Sequence, residues 1–323
     1  MNELQTVFAD LSKILSGQVL GQPQLIERLL IALLADGHLL VEGAPGLAKT
    51  RAIQKLGEQL QGSFHRVQFT PDLLPADLTG TDIFRPQDGS FVFQRGPLFH
   101  NLILADEINR APAKVQSALL EAMAERQITV GQTSYPLDDP FLVMATQNPI
   151  EQEGTYPLPE AQLDRFLLHV VVGYPKVEVE RQILQLARDE AKTSRRTETA
   201  NSLQLNVEQL RAARTEVLDL YLADNLEEYL LQLVLATRQP QPYGEELAGW
   251  IQYGASPRAG IALDRCARAR AWLAGRDYVS PEDIQALAFD VLRHRVLLTY
   301  EAEAEGINVD RLVTELIARV PVP

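Results

Sequence analysis

The chain has 323 residues, 46% of them hydrophobic and 23% charged, with a formal net charge of −13. That length supplies a buried core for one large domain or two moderate ones. The negative balance argues against a broad, non-specific nucleic-acid surface, which needs clustered Lys and Arg, and the single cysteine, Cys266, rules out an internal disulfide.

In chain order, residues 1–13 show a mixed polar helical pattern rather than a signal peptide. The apolar runs at 29–35 and 170–172 are too short to cross a bilayer, so the expectation is a cytoplasmic protein without a membrane span. A helix over 22–35 leads into a buried strand at 38–41. After that strand comes Gly43-Ala44-Pro45-Gly46-Leu47-Ala48-Lys49-Thr50-Arg51, and a helix over 49–61. Strand, flexible loop and helix-opening Lys-Thr make up the layout of a phosphate-binding loop. Backbone N–H groups wrap phosphates, Lys49 neutralises the terminal ones, and the Thr50 hydroxyl ligates Mg²⁺. Glycine usually precedes that lysine, and Ala48 stands there instead. Alanine suits a negative φ in a first helical turn, which is the expected conformation. The ligand class is a nucleoside triphosphate.

Further strands are expected at 66–69, 102–105, 141–145 and 167–172, with a helix over 114–125. Strands alternating with helices predict a parallel α/β sheet. Two hairpins interrupt it, one over 81–94 around an Asp-Gly turn and one over 127–137 with residues 131–134 as its connection. Neither is needed to complete a sheet, so both read as projecting insertions with a functional role. From about residue 175 the pattern becomes helix after helix. Stripes run through Leu226, Leu230, Leu233 and Thr237, and through Ile261, Asp264, Ala267 and Ala271. Cys266 lies inside the second of these helices and reads as a packed core thiol. Residues 280–283 carry a helix start, with Ser at the cap, Pro at the first position and acids at the positive end of the dipole. The polar stretch 191–202 reads as a loop or hinge.

Strand 102–105 ends in Asp106-Glu107. Phosphoryl transfer needs one carboxylate to hold Mg²⁺ and hydrolysis needs another to deprotonate the attacking water, roles that suit Asp106 and Glu107 respectively. Strand 141–145 leads to Asn148, able to orient that water or the γ-phosphate, or equally to make a turn before Pro149. Arg165 precedes the last strand, and Arg258 sits in the first turn of a later helix. An arginine presented to a γ-phosphate stabilises charge developing in the transition state. A local ion pair, with Asp164 or Glu160, is the plainer role open to Arg165. Cations are disfavoured in a first helical turn, which points to an external anionic partner for Arg258.

Together the segments 43–50, 104–110, 145–149, 158–166 and 254–259 closely resemble the MoxR family of AAA+ ATPases, and the likeness runs from about residue 19 to 306. Alanine at position 48 is itself typical of that family. The resemblance implies a P-loop AAA+ core, a five-stranded parallel sheet between helices, over 1–176, and an all-α lid over 177–323. It implies Lys49 and Thr50 as the first nucleotide motif, Asp106 and Glu107 as the second and Asn148 as the first sensor. Arg165 corresponds to the arginine finger supplied to a neighbour and Arg258 to the second sensor, while Leu20 and Gly21 would line the adenine pocket. The two hairpins match the helix-2 insert and the pre-sensor-1 hairpin of that branch. The family likeness further implies Mg²⁺-dependent ATP hydrolysis in a ring, a hexamer, acting in a chaperone-like way on client proteins or metal-cofactor insertion. A partner with a von Willebrand factor A domain is implied as well. The alternatives are a magnesium-chelatase motor subunit and a nucleic-acid motor of the helicase type. The second is opposed by a first hairpin carrying Arg85 against Asp82 and Asp88, and by a second with no basic residue. A non-hydrolysing switch is opposed by the intact Asp106-Glu107 pair.

Overall fold

The computed structural model describes residues 2–150, 154–193 and 204–323. Helices α1 (Glu3–Gln18) and α2 (Pro23–Leu34) lead into β1 (Leu39–Glu42), followed by α3 (Lys49–Gln59) and β2 (Phe64–Gln68). After α4 (Pro75–Thr79) comes the first hairpin, β3 (Gly80–Arg85) and β4 (Ser90–Arg95). β5 (Leu102–Asp106), α5 (Ala113–Glu125), the second hairpin of β6 (Gln127–Val130) and β7 (Thr133–Pro136), β8 (Leu142–Gln147), α6 (Glu160–Leu163) and β9 (Leu168–Val171) complete this part. The rest is chiefly helical: α7 (Val177–Thr193), α8 (Val207–Asp219), α9 (Asp224–Arg238), α10 (Glu245–Trp250), α11 (Pro257–Leu273), α12 (Pro281–Leu292), α13 (Tyr300–Ala304) and α14 (Val309–Arg319).

The five expected strands form one parallel sheet in the order β2-β5-β8-β1-β9. Leu39, Leu40 and Val41 are fully buried, as strands covered on both faces require. In register, Leu39 opposes Met144 on one side and Leu168 on the other, so β1 lies inside the sheet. Its carboxyl end opens onto the loop at Gly43, and its amino end onto Asp36, Gly37 and His38. These two ends organise the rest of the molecule.

Both hairpins stand outside that sheet, as expected. In the first, the Gly89 N–H closes the turn onto the Arg85 carbonyl at 2.9 Å with φ +69°, a conformation glycine adopts freely. The second differs from expectation. β7 begins at Thr133 and the connection shrinks to Gly131-Gln132, because a two-residue turn with Gly131 at φ +60° matches the twist of the strands. The hairpins touch: the Phe93 ring stacks on Tyr135 with centroids 4.3 Å apart, and Phe99 packs edge-on to Phe93. Near the first hairpin's turn, Phe84 and Phe91 pair at 5.2 Å while remaining 51% and 69% exposed.

Among the helices, the stripe Leu226, Leu230, Leu233 and Thr237 is buried on α9. The stripe expected on α11 is not the buried one. Ala267 and Ala271 are buried, but Ile261 is exposed and Asp264 pairs with Arg268 at the surface at 2.8 Å. The buried face runs instead through Ala259, Ala262, Leu263, Cys266 and Ala269. Alanines on nearly every side gave two overlapping stripes, and packing chose the one with Leu263 and Cys266. Burial pushes the Cys266 thiol up to about 12, so it stays protonated. Ser280-Pro281 opens α12, the Ser280 N–H donating to Asp283 at 2.9 Å. Within the polar stretch 191–202, residues 191–193 continue α7, and the remainder lies outside the described residues. Buried side chains of α1, α2 and β1 run continuously into those of α9, α11 and α12. Among the described residues, no helix is long and apolar enough to cross a membrane.

Candidate functional site

At the carboxyl end of β1 the chain turns at Gly43. A Cβ there would lie 2.7 Å from the Val172 carbonyl, so only glycine fits. The Gly43 N–H donates to the Gln147 carbonyl at 3.2 Å, fastening the loop to the end of β8. Gly46 and Ala48 both have positive φ, +83° and +58°. Ala48 thus overturns the expectation of a negative φ. It caps α3 in the left-handed region rather than occupying its first turn. Alternating right- and left-handed residues turn successive N–H groups into one concavity, an anion-binding nest, and at Ala48 that requirement overrides the Cβ penalty of about 1–2 kcal/mol.

Lys49 is buried and donates to the Gly43 carbonyl, with Thr50 next to it in the first turn of α3. Burial lowers the Lys49 pKa, opposed by the carboxylates of Asp106, Glu107 and Glu42. Asp106 ends β5 and accepts from Thr146 Oγ1 and from the Arg66 guanidinium, both at 2.6 Å. Glu107 follows at φ +57°, its N–H donating to Thr146 Oγ1 at 2.9 Å. Its carboxylate accepts from Gln68 Nε2 at 2.8 Å and pairs with Arg110 at 3.0 Å. Asn148 lies just past β8 and is buried; its Oδ1 accepts the Ile150 N–H at 3.2 Å, a turn contact around Pro149. The loop, both acids and Asn148 therefore converge at one end of the sheet.

Beside the loop lies a cavity of about 410 Å³, lined among others by Leu20, Pro45, Leu47, Arg51, Ile183 and Leu184. Its walls are chiefly apolar, which suits a purine base. Leu20 lines it directly. Gly21 contributes through the backbone: at φ +80° it lets the chain pass under Val179, which a Cβ would meet at 2.7 Å. Ala44 is a buried part of the same loop, and Arg51 Nε donates to the Gln18 carbonyl at 2.6 Å.

Arg165 and Arg258 are not there. They line a second cavity of about 370 Å³ at the amino ends of β1 and β9, together with Asp36, Arg126, Arg265 and Arg295. Arg165 donates to the Leu120 carbonyl at 2.5 Å. Arg258 is half exposed, 3.6 Å from Asp164. In place of an ion pair with Asp164 or Glu160, Arg165 thus makes a carbonyl contact, and Asp164 pairs with other arginines.

The family profile described as "ATPase family associated with various cellular activities (AAA)" matches residues 38–168, and an AAA lid domain profile matches 248–316. Chaperone MoxR1 of Mycobacterium tuberculosis is 45% identical over 94% of this chain and 79% of its own length. The chain belongs to the MoxR family of AAA+ ATPases. The protein YeaC of Bacillus subtilis is 45% identical over 91% of this chain and 88% of its own. A crystal structure of a candidate ATPase from Cytophaga hutchinsonii superimposes with a TM-score of 0.89 at 46% identity, covering 99% of this chain and 96% of the other. For this MoxR-family chain, nucleotide binding and ATPase activity go with the fold.

Sequence reasoning missed several residues around the MoxR site. Arg66 and Gln68, alternate residues of edge strand β2, engage Asp106 and Glu107 respectively, and Gln68 stands in register with Asp106. Two polar side chains two apart at the end of a strand were the available signal. Arg265, seven residues after Arg258, shares the arginine cavity, a spacing of two helical turns.

Proposed function

We propose that the protein hydrolyses ATP in a ring of identical subunits, a hexamer, in which each site is completed by arginines of the next subunit. The observation carrying this reading is the separation of Arg165 and Arg258 from the phosphate loop of their own chain. They flank the amino end of β1, while Gly43–Thr50 leaves its carboxyl end, and four strand residues span about 13 Å. Neither guanidinium reaches its own loop: Arg165 donates to the Leu120 carbonyl, and Arg258 is half exposed.

In this reading the loop N–H groups and Lys49 hold the β- and γ-phosphates. Leu20, Leu47, Ile183 and Leu184 receive the base, and Gly21 lets the chain close over it. Glu107 takes the proton of a water that Asn148 orients. As the water oxygen bonds to the γ-phosphorus, the bond to the bridging oxygen breaks and ADP leaves with that electron pair. The neighbour's Arg165 and Arg258 meet the charge that develops. The Thr50 hydroxyl and Asp106 carboxylate are oxygen donors that fit Mg²⁺. Bound there, Mg²⁺ would screen the phosphate charge. In the chain as it stands, Arg66 shares the Asp106 carboxylate.

The biological setting we infer is cytoplasmic and chaperone-like, acting on client proteins with a partner that carries a von Willebrand factor A domain. A relative named as a chaperone supports this, as do the exposed Phe84 and Phe91. The lone buried Cys266 agrees with a reducing compartment.

Mixing subunits tests the reading. Arg165→Ala subunits keep an intact phosphate site, and Lys49→Ala subunits keep an intact arginine. Each alone is expected to be inactive, and their mixture to recover part of the wild-type rate. Co-assembled rings that recover none would refute the trans assignment.

A further inference from the structure

The chain from Asp164 into β9 is gripped by three consecutive side chains just past α12. Arg293 Nη1 donates to the His169 carbonyl at 2.7 Å, while its Nε and Nη2 fork onto Asp310 at 2.7 and 3.1 Å. His294 Nε2 lies 3.0 Å from the Phe166 carbonyl. Arg295 is 9% exposed and donates to Asp164 Oδ1 at 2.8 Å, to the Phe166 carbonyl at 2.6 Å and to the Val291 carbonyl at 2.6 Å. Burying a guanidinium is costly unless its donors are all matched, and apolar packing would fill the same space at lower cost. What the fork adds is geometry. It fixes one carboxylate, that of Asp164.

Asp164 adjoins both arginines. It directly precedes Arg165, and its Oδ2 accepts from Ser256 Oγ at 2.8 Å and faces Arg258 at 3.6 Å. Ser256 is the cap residue of α11, so this contact sets where Arg258 starts. The His169 side chain in turn reaches the residue before the phosphate loop. His169 Nε2 lies 3.0 Å from Glu42 Oε2, and Glu42 is the residue before Gly43. That contact is the main cause holding the Glu42 carboxyl below its usual range. The segment from Asp164 to His169, held at Asp164, Phe166 and His169, has little freedom to absorb a shift, so a displacement at His169 appears at Asp164.

Building on the trans role proposed above, we propose that Glu42, His169, the Arg293-His294-Arg295 clamp and Asp164 form a link carrying the state of a subunit's own phosphate loop to the arginines it presents. His169, Arg295 and Asp164 are then positioning residues. They touch no substrate, and they decide where Arg165 and Arg258 point.

The test uses rings of the full chain, with MgATP as the probe for binding and turnover. Arg295→Lys keeps the charge but cannot fork. It is expected to lower kcat about tenfold at unchanged ATP affinity, the size of a coupling change, and to be rescued by Lys49→Ala subunits. His169→Ala leaves both ends intact and cuts between them, so the Hill coefficient for hydrolysis should fall to about one while ATP still binds. Where Arg295→Lys does not fold, Asp164→Asn replaces it, since it keeps an acceptor for Ser256 and loses the charge. The link is overturned if wild-type rings hydrolyse without cooperativity, or if His169→Ala keeps the wild-type coefficient. It is likewise overturned if Arg295→Lys lowers only the melting temperature at wild-type turnover. Full turnover of Arg165→Ala would instead defeat the underlying trans reading.

Discussion

The two ends of β1 are chemical opposites. At the carboxyl end, glycines and a left-handed alanine turn backbone N–H groups inward, and one buried lysine faces Glu42, Asp106 and Glu107. At the amino end, five arginines (Arg126, Arg165, Arg258, Arg265 and Arg295) share a cavity with only Asp36 and Asp164 to balance them. A chain with net charge −13 has thus gathered cations into one small region. The difference teaches that, in the proposed reading, neither end is a complete catalyst: one receives a polyanion and supplies the base, and the other supplies positive charge. Joined in one subunit, they would neutralise each other. Held a strand's length apart, they would fit end to end between the copies of the ring we propose.

The sharpest way to break this comparison is to remove charge from the amino end. In the trans reading Arg165 acts only on transition-state charge, so Arg165→Ala should lose about 10³-fold or more in hydrolysis while retaining ATP binding. A variant that binds and turns over ATP normally would reduce the amino-end cavity to a structural ion cluster. At the opposite end, Glu107→Gln should bind ATP yet hydrolyse it about 10²- to 10³-fold more slowly, the worth of a general base. Single-turnover measurement on purified rings decides this, and a wild-type rate would move the base to another residue.

A smaller effect sharpens the electrostatic side. Burial, aided by the nearby Arg126 guanidinium, lowers His38 to about 3, and its Nδ1 accepts the Val143 N–H at 3.0 Å. The unfolded imidazole takes up a proton near 6.5 and the native one only near 3. Stability therefore falls as pH drops through that window, by about 1.4 kcal/mol per pH unit. Denaturant midpoints of His38→Gln should vary less between pH 7 and pH 5 than those of wild type. His294, buried and lowered in the same direction, leaves a residual slope. Equal slopes in the two proteins would mean that folding does not lower the His38 pKa. The smallest effect belongs to the loop itself. With Ala48 at φ +58°, Ala48→Gly should stabilise the fold by about 1 kcal/mol or less, read as a rise in Tm with ATP binding kept. A clear loss of stability would contradict the left-handed conformation.

These contrasts also explain what is legible in the sequence. Strands, loop and acid pair announce themselves through local pattern: an apolar run, then Gly43 and Lys49, or an apolar run, then Asp106 and Glu107. Local pattern does not contain backbone sign, and so it places Ala48 on the wrong side of zero. Nor does it contain which stripe of an alanine-rich helix meets a neighbour, so it puts Ile261 inside, where the structure leaves it exposed. The long-range contacts are illegible for the same reason. Arg295 and Asp164 are 131 residues apart, and Arg66 and Asp106 40 apart. No window of sequence joins them; the parallel crossovers do. Arg165 and Arg258 stand out individually in the sequence, but their common place at the amino end of the sheet emerges only from the fold.

The stacked rings of Phe93 and Tyr135 have a consequence of their own. They come from hairpins inserted at separate points of the chain, one after β2 and the other after α5. Offset aromatic contact resists sliding and separation alike, so the two projections form a single lever with two roots. One root follows the strand whose Arg66 and Gln68 reach the acids, and the other continues from the helix whose Leu120 carbonyl holds Arg165. In the ring we propose, torque applied at the exposed Phe84–Phe91 tip would therefore be divided between Asp106 and Glu107 and the Arg165 that a subunit lends. Load on that tip would then act as a brake or a trigger on two adjacent sites at once.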